Sequence, residues 1–528
     1  MAFETKPLLT HRTDLLARLA EPRRYDLAVI GGGATGLGVA LEAASRGHSV
    51  VLLESHDFAK GTSSRATKLV HGGVRYLAQG NLALVREALH ERSVLLKNAP
   101  HLAQPLAFVM PSYKYWEAPF YGVGLKLYDL LAGAAGLGKT EFLSRNETLQ
   151  CLPTVQPQGL KGGVKYWDGQ FDDARLALAL ARTAAQQGAL LVNYCPVTGF
   201  IHEAGQLAGV HARDEETGQT FEVRADCIVN AAGVWVDQLR TLDGAAAGQS
   251  VTPMVAPSQG VHLVVDRSFW PSDHALLVPK TQDGRVLFAV PWLGKVILGT
   301  TDTPRDDLAR EPMAFPEEVD FILRESARYL TRAPLAADVL SVWVGLRPLV
   351  KPPENEGHST KGLSREHTVL VSPSGLVTVT GGKWTTYRAM AEDVLHHCAE
   401  AELLSKRGES VTAALPLVGA AASQHKMSEA AGLHSYGGEA AEVQALPGHE
   451  RWLCPGLSEA MVRFAARYEY ARTVEDMLAR RSRVLFLDAL LAESLAADVA
   501  ELLQAETGID PQLSAFITLC QAYRTLPN

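Results

Sequence analysis

Residues 25–30, YDLAVI, form a short apolar run of the length and composition of a buried strand. The chain then turns through GGGATG and continues as LGVALEAASRG, a helix pattern that stops at Gly47. HSVVLLE follows as a second strand ending at Glu54. The strand–turn–helix pattern recurs at 226–239, DCIVNAAGVWVDQL, with its turn at Ala231-Ala232-Gly233. It recurs again at 374–395, SGLVTVTGGKWTTYRAMAEDVL, with Gly381-Gly382 as the turn and a helix starting near Lys383. Four short apolar runs between 262 and 302 have strand length instead. In GRVLFAVPWLGKVILGT, Leu293-Gly294 reads as the turn of a hairpin. After about 410 the chain becomes rich in Ala, Glu and Leu and reads as helical. Arg472, Arg480 and Arg481 there are most simply solvated or bridging charges. The pattern predicts an α/β architecture with an antiparallel sheet inserted and a helical C-terminal part.

Composition narrows the class. The chain has 528 residues, 47% hydrophobic and 20% charged, which suits two to four packed domains. A net charge of −8 argues against a nucleic-acid binder, whose affinity rests on basic residues. The six cysteines are scattered without metal-like spacing, so neither a metal site nor a disulfide frame is expected. The first 26 residues are interrupted by charge and carry no run of signal-peptide type, so export is not expected and a cytoplasmic setting is. The most apolar window, 120–138, contains Lys126 and Asp129. It reads first as a buried helix with a Gly-rich loop; with Tyr113, Tyr115, Trp116, Phe120 and Tyr121 it could alternatively lie at a membrane interface.

The first turn carries chemistry. Gly31, Gly33 and Gly36 satisfy G-x-G-x-x-G, with Ala34 and Thr35 between them and Glu54 at the end of the next strand. That arrangement suits a dinucleotide: the glycines give a tight turn and close helix packing, and the helix N-terminus faces a pyrophosphate. Glu54 stands where a carboxylate can accept from ribose hydroxyls. The motif does not separate NAD from FAD, although its place early in the chain leans toward FAD. The next segment, GTSSRATKLVHGGVRYL, offers the hydroxyls of Thr62, Ser63 and Ser64 and a Gly72-Gly73 pair open to close approach by a flat ligand. The turns at Ala232-Gly233-Trp235 and at Gly382-Lys383-Trp384-Thr385 put two more helix starts beside the same ligand.

Together, the opening glycine motif, GTSSRATKLVHGGVRYL, VNAAGVWVD, VGLRPLV and TGGKWTTYR resemble the FAD-dependent glycerol-3-phosphate dehydrogenases, within the D-amino-acid-oxidase-like flavoproteins. The likeness covers nearly the whole chain, including RYEYARTVEDMLARRSRVLFLDA in the C-terminal part. It implies non-covalent FAD, oxidation of glycerol 3-phosphate to dihydroxyacetone phosphate by hydride transfer from C2, a quinone acceptor and peripheral membrane contact, and it allows a homodimer. An oxidase returning electrons to oxygen stays open as the alternative, as does a related oxidoreductase of another small hydroxy or amino acid. The resemblance places Arg347 and Arg365 at the substrate phosphate, with Arg75 and Lys383 nearer the hydroxyls. His262 and Lys383 compete as the proton acceptor, His71 lies against the flavin, and Val197 joins the cofactor residues. The implied organisation is a discontinuous Rossmann-like FAD-binding domain at 20–110, 165–240 and 340–405. A substrate or cap domain takes 111–164 and 241–339, and a helical domain takes 410–528.

Overall fold

The first strand, Arg24–Ile30, is apolar because it is the middle of a sheet covered on both faces. In the computed structural model, which describes residues 6–73, 81–246, 248, 250–281, 284–351 and 367–527, it is flanked in parallel by Val50–Leu53 and Thr220–Asn230. Leu190–Val192 continues the sheet on one side and Leu376–Gly381 on the other, both parallel. His367–Val371 closes one edge antiparallel, and a meander of Val197–Glu203 and Gln206–Arg213 leaves from Thr220–Asn230. The helix Ala34–Ser45 packs between the sheet and the helices Asp173–Gln186 and Tyr387–Glu400. Gly38 permits that approach: a Cβ there would stand 2.9 Å from the Tyr387 ring.

A second, ten-stranded sheet is antiparallel except where Ala275–Val278 runs beside Ala103–Ser112. The hairpin forms as expected. Leu287–Trp292 pairs with Lys295–Gly299, and Leu293 and Gly294 both take positive φ, the geometry of a two-residue turn matched to strand twist. Four strands of this sheet, Leu69–Val70, Ala103–Ser112, Gly162–Phe171 and Val339–Val350, fall wholly or mostly within stretches expected in the FAD-binding unit. The chain therefore crosses between sheets inside those stretches, and strand pairing over long sequence distances decides where. The short strand Leu69–Val70 pairs with Gly162–Phe171, so the segment after the first cofactor loop sits at the junction of the two sheets.

One sequence expectation changes and another narrows. Residues 120–138 are not a buried helix: Glu117–Ala132 buries Gly122, Leu125, Tyr128 and Ala132 while Trp116, Phe120, Val123, Leu127 and Leu130 face outward. Of the two readings of Arg480 and Arg481, solvated or bridging, the structure keeps the second: both are buried against the equally buried Asp57. Arg472 is buried too and pairs with Glu216. Beyond the sheets the C-terminal part is built chiefly of the helices Glu459–Tyr468, Ala489–Thr507 and Leu513–Arg524, with one small hairpin at Trp452–Cys454 and Leu457–Ser458. All six cysteines are free. Among the described residues no His/Cys/Asp/Glu cluster could hold a metal ion, and no helix is long and apolar enough to cross a membrane.

Candidate active site

A cavity of about 300 Å³ opens where the three strand–turn–helix units meet. Its floor is the first turn. Gly31 has φ +112, and a Cβ on Gly36 would stand 1.9 Å from the Gly31 carbonyl oxygen, so the helix can sit this close to the turn only with glycine there. Gly33 caps the helix without a side chain, and Ser63 Oγ accepts from the Ala34 amide at 2.9 Å. The first-turn amides of a helix have no partner within the helix, and they carry its positive dipole end.

Glu54 closes one end. Its carboxylate accepts from the amides of Gly32 at 2.6 Å and His56 at 2.9 Å, which fixes its direction beside the turn. The walls come from the other two units and the loop between them: Thr62 and Ser63, Val197, Ala232, Gly233 and Trp235, and Gly382, Lys383 and Trp384. Trp384 Nε1 donates to the Ser63 carbonyl at 2.8 Å, and Thr380 donates to the Gly233 carbonyl, so the third turn is tied to the second and to the loop that carries Ser63. Both the 232–235 and 383–386 turns contain short 3₁₀ segments; the regular helices start at Val236 and Tyr387, two and four residues later than the sequence pattern suggests.

Some expected cofactor residues do not reach this cavity. Gly36 lies beneath it as a packing position. Ser64 is fully buried, and its carbonyl accepts from Lys68 and Arg483, both at 2.7 Å. Gly72 uses its missing side chain against protein: a Cβ would lie 2.4 Å from Tyr128 Oη and 2.6 Å from Leu89, while its amide donates to Tyr128 at 2.8 Å. Gly73 is buried with φ +78, and the His71 carbonyl accepts from Thr385 at 3.4 Å; none of these three residues lines the cavity. Arg75 and Arg365 fall outside the described residues.

The remaining candidates lie on the second sheet. Arg347, on Val339–Val350, donates to the Thr301 carbonyl at 2.9 Å, with Thr300 and Asp302 alongside. The same strand touches the cofactor loop, since Thr62 Oγ1 donates to the Leu346 carbonyl at 2.6 Å and Pro348 lines the cavity. His262 pairs opposite Trp343 on the neighbouring strand; its ring stacks on the indole at 4.0 Å and its Nε2 lies 2.9 Å from Thr67 Oγ1. Burial, then the charges of Lys68 and Arg347, holds its imidazole well below the usual range and therefore neutral. Lys68 is buried against Asp173 with Nζ 2.7 Å away, and burial draws the amine down to about 7.

The glycine turn, the helix start and a carboxylate on the adjacent strand end fit a dinucleotide, and the further turns at 232–235 and 382–384 extend the cavity beyond it. Residues 26–388 match the family described as FAD dependent oxidoreductase, and residues 410–513 match the C-terminal domain of alpha-glycerophosphate oxidase. The mitochondrial glycerol-3-phosphate dehydrogenase of Bos taurus is 41% identical, over 93% of this chain and 72% of its own length. The chain belongs to the FAD-dependent glycerol-3-phosphate dehydrogenase family. The human relative is 40% identical over 94% of the chain and 72% of its own length. A glycerol-3-phosphate dehydrogenase from Bacillus halodurans, solved with FAD, superposes with a TM-score of 0.75 at 30% identity, covering 97% of this chain and 98% of that one. FAD is thus the cofactor of this family member. Sequence reasoning had missed Lys60, His56, Gln238 and Arg310 among the cavity walls. Of these, Arg310 arrives on a loop of the second sheet, and no local pattern signals its approach.

Proposed function

We propose that the chain oxidises sn-glycerol 3-phosphate at C2 to dihydroxyacetone phosphate and passes the electrons to a membrane quinone. When bound, FAD supplies the hydride-accepting chemistry, and the protein supplies binding, orientation and proton handling. Arg347 is the phosphate-binding cation, because its planar fork can hold two phosphate oxygens while neighbouring backbone fixes its aim. Lys383, on the cavity wall, serves the hydroxyl side. His262 takes the C2 hydroxyl proton at Nδ1, which is buried without a hydrogen-bond partner while Nε2 faces Thr67. The substrate dianion offsets the charges of Lys68 and Arg347 that otherwise disfavour a cationic ring.

The observation that carries this reading is the placement of Arg347 and Pro348 on one strand, the first a candidate anion holder and the second a wall of the FAD cavity. Support for a quinone comes from the outward apolar stripe on Glu117–Ala132, where Phe120 is 67% and Leu130 76% exposed. Lys114, Lys126 and Lys161 flank that stripe, each stacked near an aromatic ring, as suits a monotopic contact with an anionic bilayer. Anaerobic addition of glycerol 3-phosphate to the yellow protein should bleach the flavin, and a soluble quinone should restore the colour faster than oxygen does. A flavin that stays oxidised with this substrate rejects the substrate; faster recovery with oxygen rejects the acceptor.

A further inference from the structure

The loop after Thr303–Pro304 leaves the second sheet and crosses to the FAD cavity. It is fastened at three points. Trp235 Nε1 donates to the Leu308 carbonyl at 3.0 Å, and Arg65 Nη1 donates to the Arg310 carbonyl at 3.3 Å. The Glu311 carboxylate receives Arg65 Nη2 at 2.7 Å on both oxygens, the Lys60 ammonium at 2.9 Å and the Tyr523 hydroxyl at 3.2 Å. Sheet, cofactor loop and C-terminal helix therefore converge on residues 308–311.

Between these fastenings the Arg310 side chain turns to the cavity. Its guanidinium lies 3.7 Å over the Trp235 ring, whose other neighbour is Gly61; a Cβ there would stand 3.0 Å from the indole. With any described residue, Arg310 makes neither a hydrogen bond nor an ion pair through its side chain. The nearby Lys60 differs, since Glu311 and Glu475 already neutralise it. A half-buried guanidinium has five donors to satisfy, and stacking on an indole satisfies none of them. It lines the same cavity as the helix start at Ala34 and as Glu54. The missing partner is an anion with several acceptor oxygens.

We propose that Arg310 is a cofactor-binding residue contributed by the substrate sheet, clamping the diphosphate of the adenosine diphosphate half of FAD in the cavity that the helix start at Ala34 also lines. It deepens the FAD assignment and rests on it. The strap of residues 308–311 then makes the second sheet part of the cofactor's seat.

The probes are ADP and adenosine, titrated by calorimetry into protein stripped of flavin, with wild type, Arg310→Met, Arg310→Gln and Arg310→Lys compared. A charge-assisted bond to phosphate should weaken ADP by roughly tenfold or more in Met and Gln and leave adenosine within about twofold. Arg310→Lys should recover part of the loss. ADP affinity unchanged in Met and Gln, or ADP and adenosine weakened alike, overturns the clamp and leaves only packing on Trp235. If either neutral variant does not fold, the other and Arg310→Lys still give the comparison. Wild-type protein that binds neither ADP nor FAD would instead overturn the cofactor assignment itself.

Discussion

Arg347 and Asp302 stand 3.4 Å apart, guanidinium to carboxylate, and the same Asp302 oxygen receives the Ser258 hydroxyl. The arginine comes from one long strand and the carboxylate from the loop after Lys295–Gly299, with Val255–Asp266 paired to both strands between them, so the sheet sets the direction of the cation before any substrate arrives. Replacing Arg347→Ala should raise KM for glycerol 3-phosphate by about 10- to 100-fold, from the roughly 1.5–3 kcal/mol of a charged hydrogen bond, with a smaller change in kcat. Asp302→Asn should raise KM less, because Thr301 still holds the side chain. Unaltered steady-state kinetics in the alanine variant would remove Arg347 from the phosphate site.

Gly36 and Gly33 belong to one motif and should respond differently to a side chain. A Cβ on Gly36 meets the Gly31 carbonyl oxygen at 1.9 Å, whereas on Gly33 it meets only Ser63 Oγ at 3.1 Å. Gly36→Ala is expected to fold with little or no flavin, since the helix must retreat from the turn that seats the pyrophosphate. Gly33→Ala should also bind flavin less well, because Gly33 lines the cavity where the backbone approaches the pyrophosphate, but it should leave the stability of the flavin-free protein nearly unchanged. Denaturant unfolding of the two flavin-free variants decides between them; equal stability contradicts the packing role of Gly36.

How much of this was readable beforehand follows the range of the interactions. YDLAVI–GGGATG–helix–HSVVLLE was legible because each feature is local: period, turn glycine and strand-end carboxylate lie within about 30 residues. The Leu293-Gly294 turn was legible for the same reason. The contact of Gly72 with Tyr128 was not legible, because Tyr128 lies 56 residues away and the segment around Gly72 cannot reveal it. Whether Arg480 and Arg481 are solvated or bridging stayed open in the sequence because Asp57, more than 400 residues earlier, is what buries them. Residues 120–138 misled for another reason: an outward apolar stripe and an inward one have the same spacing on a helix.

The Asp57 cluster should be decisive for stability. Its carboxylate accepts from Arg480 and Arg481 on the C-terminal part, yet it sits only three residues beyond Glu54. Burial favours protonation, but the two guanidiniums outweigh it and hold this carboxyl below the usual range. Asp57→Ala leaves two buried cations with one fewer counter-charge, at a cost of roughly 3–5 kcal/mol. Denaturant unfolding should show that loss together with early flavin release. A change below about 1 kcal/mol would mean that Glu475 and Asp476 suffice for Arg480 and the carbonyls of Glu469 and Asp476 for Arg481.

The apolar stripe on Glu117–Ala132 predicts lipid binding that depends on its outward residues alone. Phe120→Glu with Leu130→Glu should abolish flotation with anionic vesicles while activity toward a soluble acceptor stays within about twofold, because neither side chain lines the FAD cavity. Reversing Lys114 and Lys126 to glutamate should weaken flotation more at low salt than at high salt. Vesicle binding indifferent to all four substitutions excludes this face as the membrane contact.

His101 gives the acid limb of the stability profile a defined source. It is 5% exposed, its ring fills the space where Gly419 and Gly437 have no side chains, and Arg175 and Arg182 lie near it. Burial first, then those two arginines, draws its imidazole down to about 3 from an ordinary 6.5. As pH falls below 6.5 the unfolded chain takes up this proton and the folded chain refuses it, so the unfolded state is favoured progressively until pH approaches 3. Above 6.5 both states are neutral at this residue and it adds no pH dependence. His101→Asn removes the titration, so its unfolding free energy should fall less steeply with acid, by up to ~1.4 kcal/mol per pH unit within that window. Parallel slopes for the variant and the wild type would show that the ring gains a proton in the folded protein, and with it that the site admits water or a counter-ion.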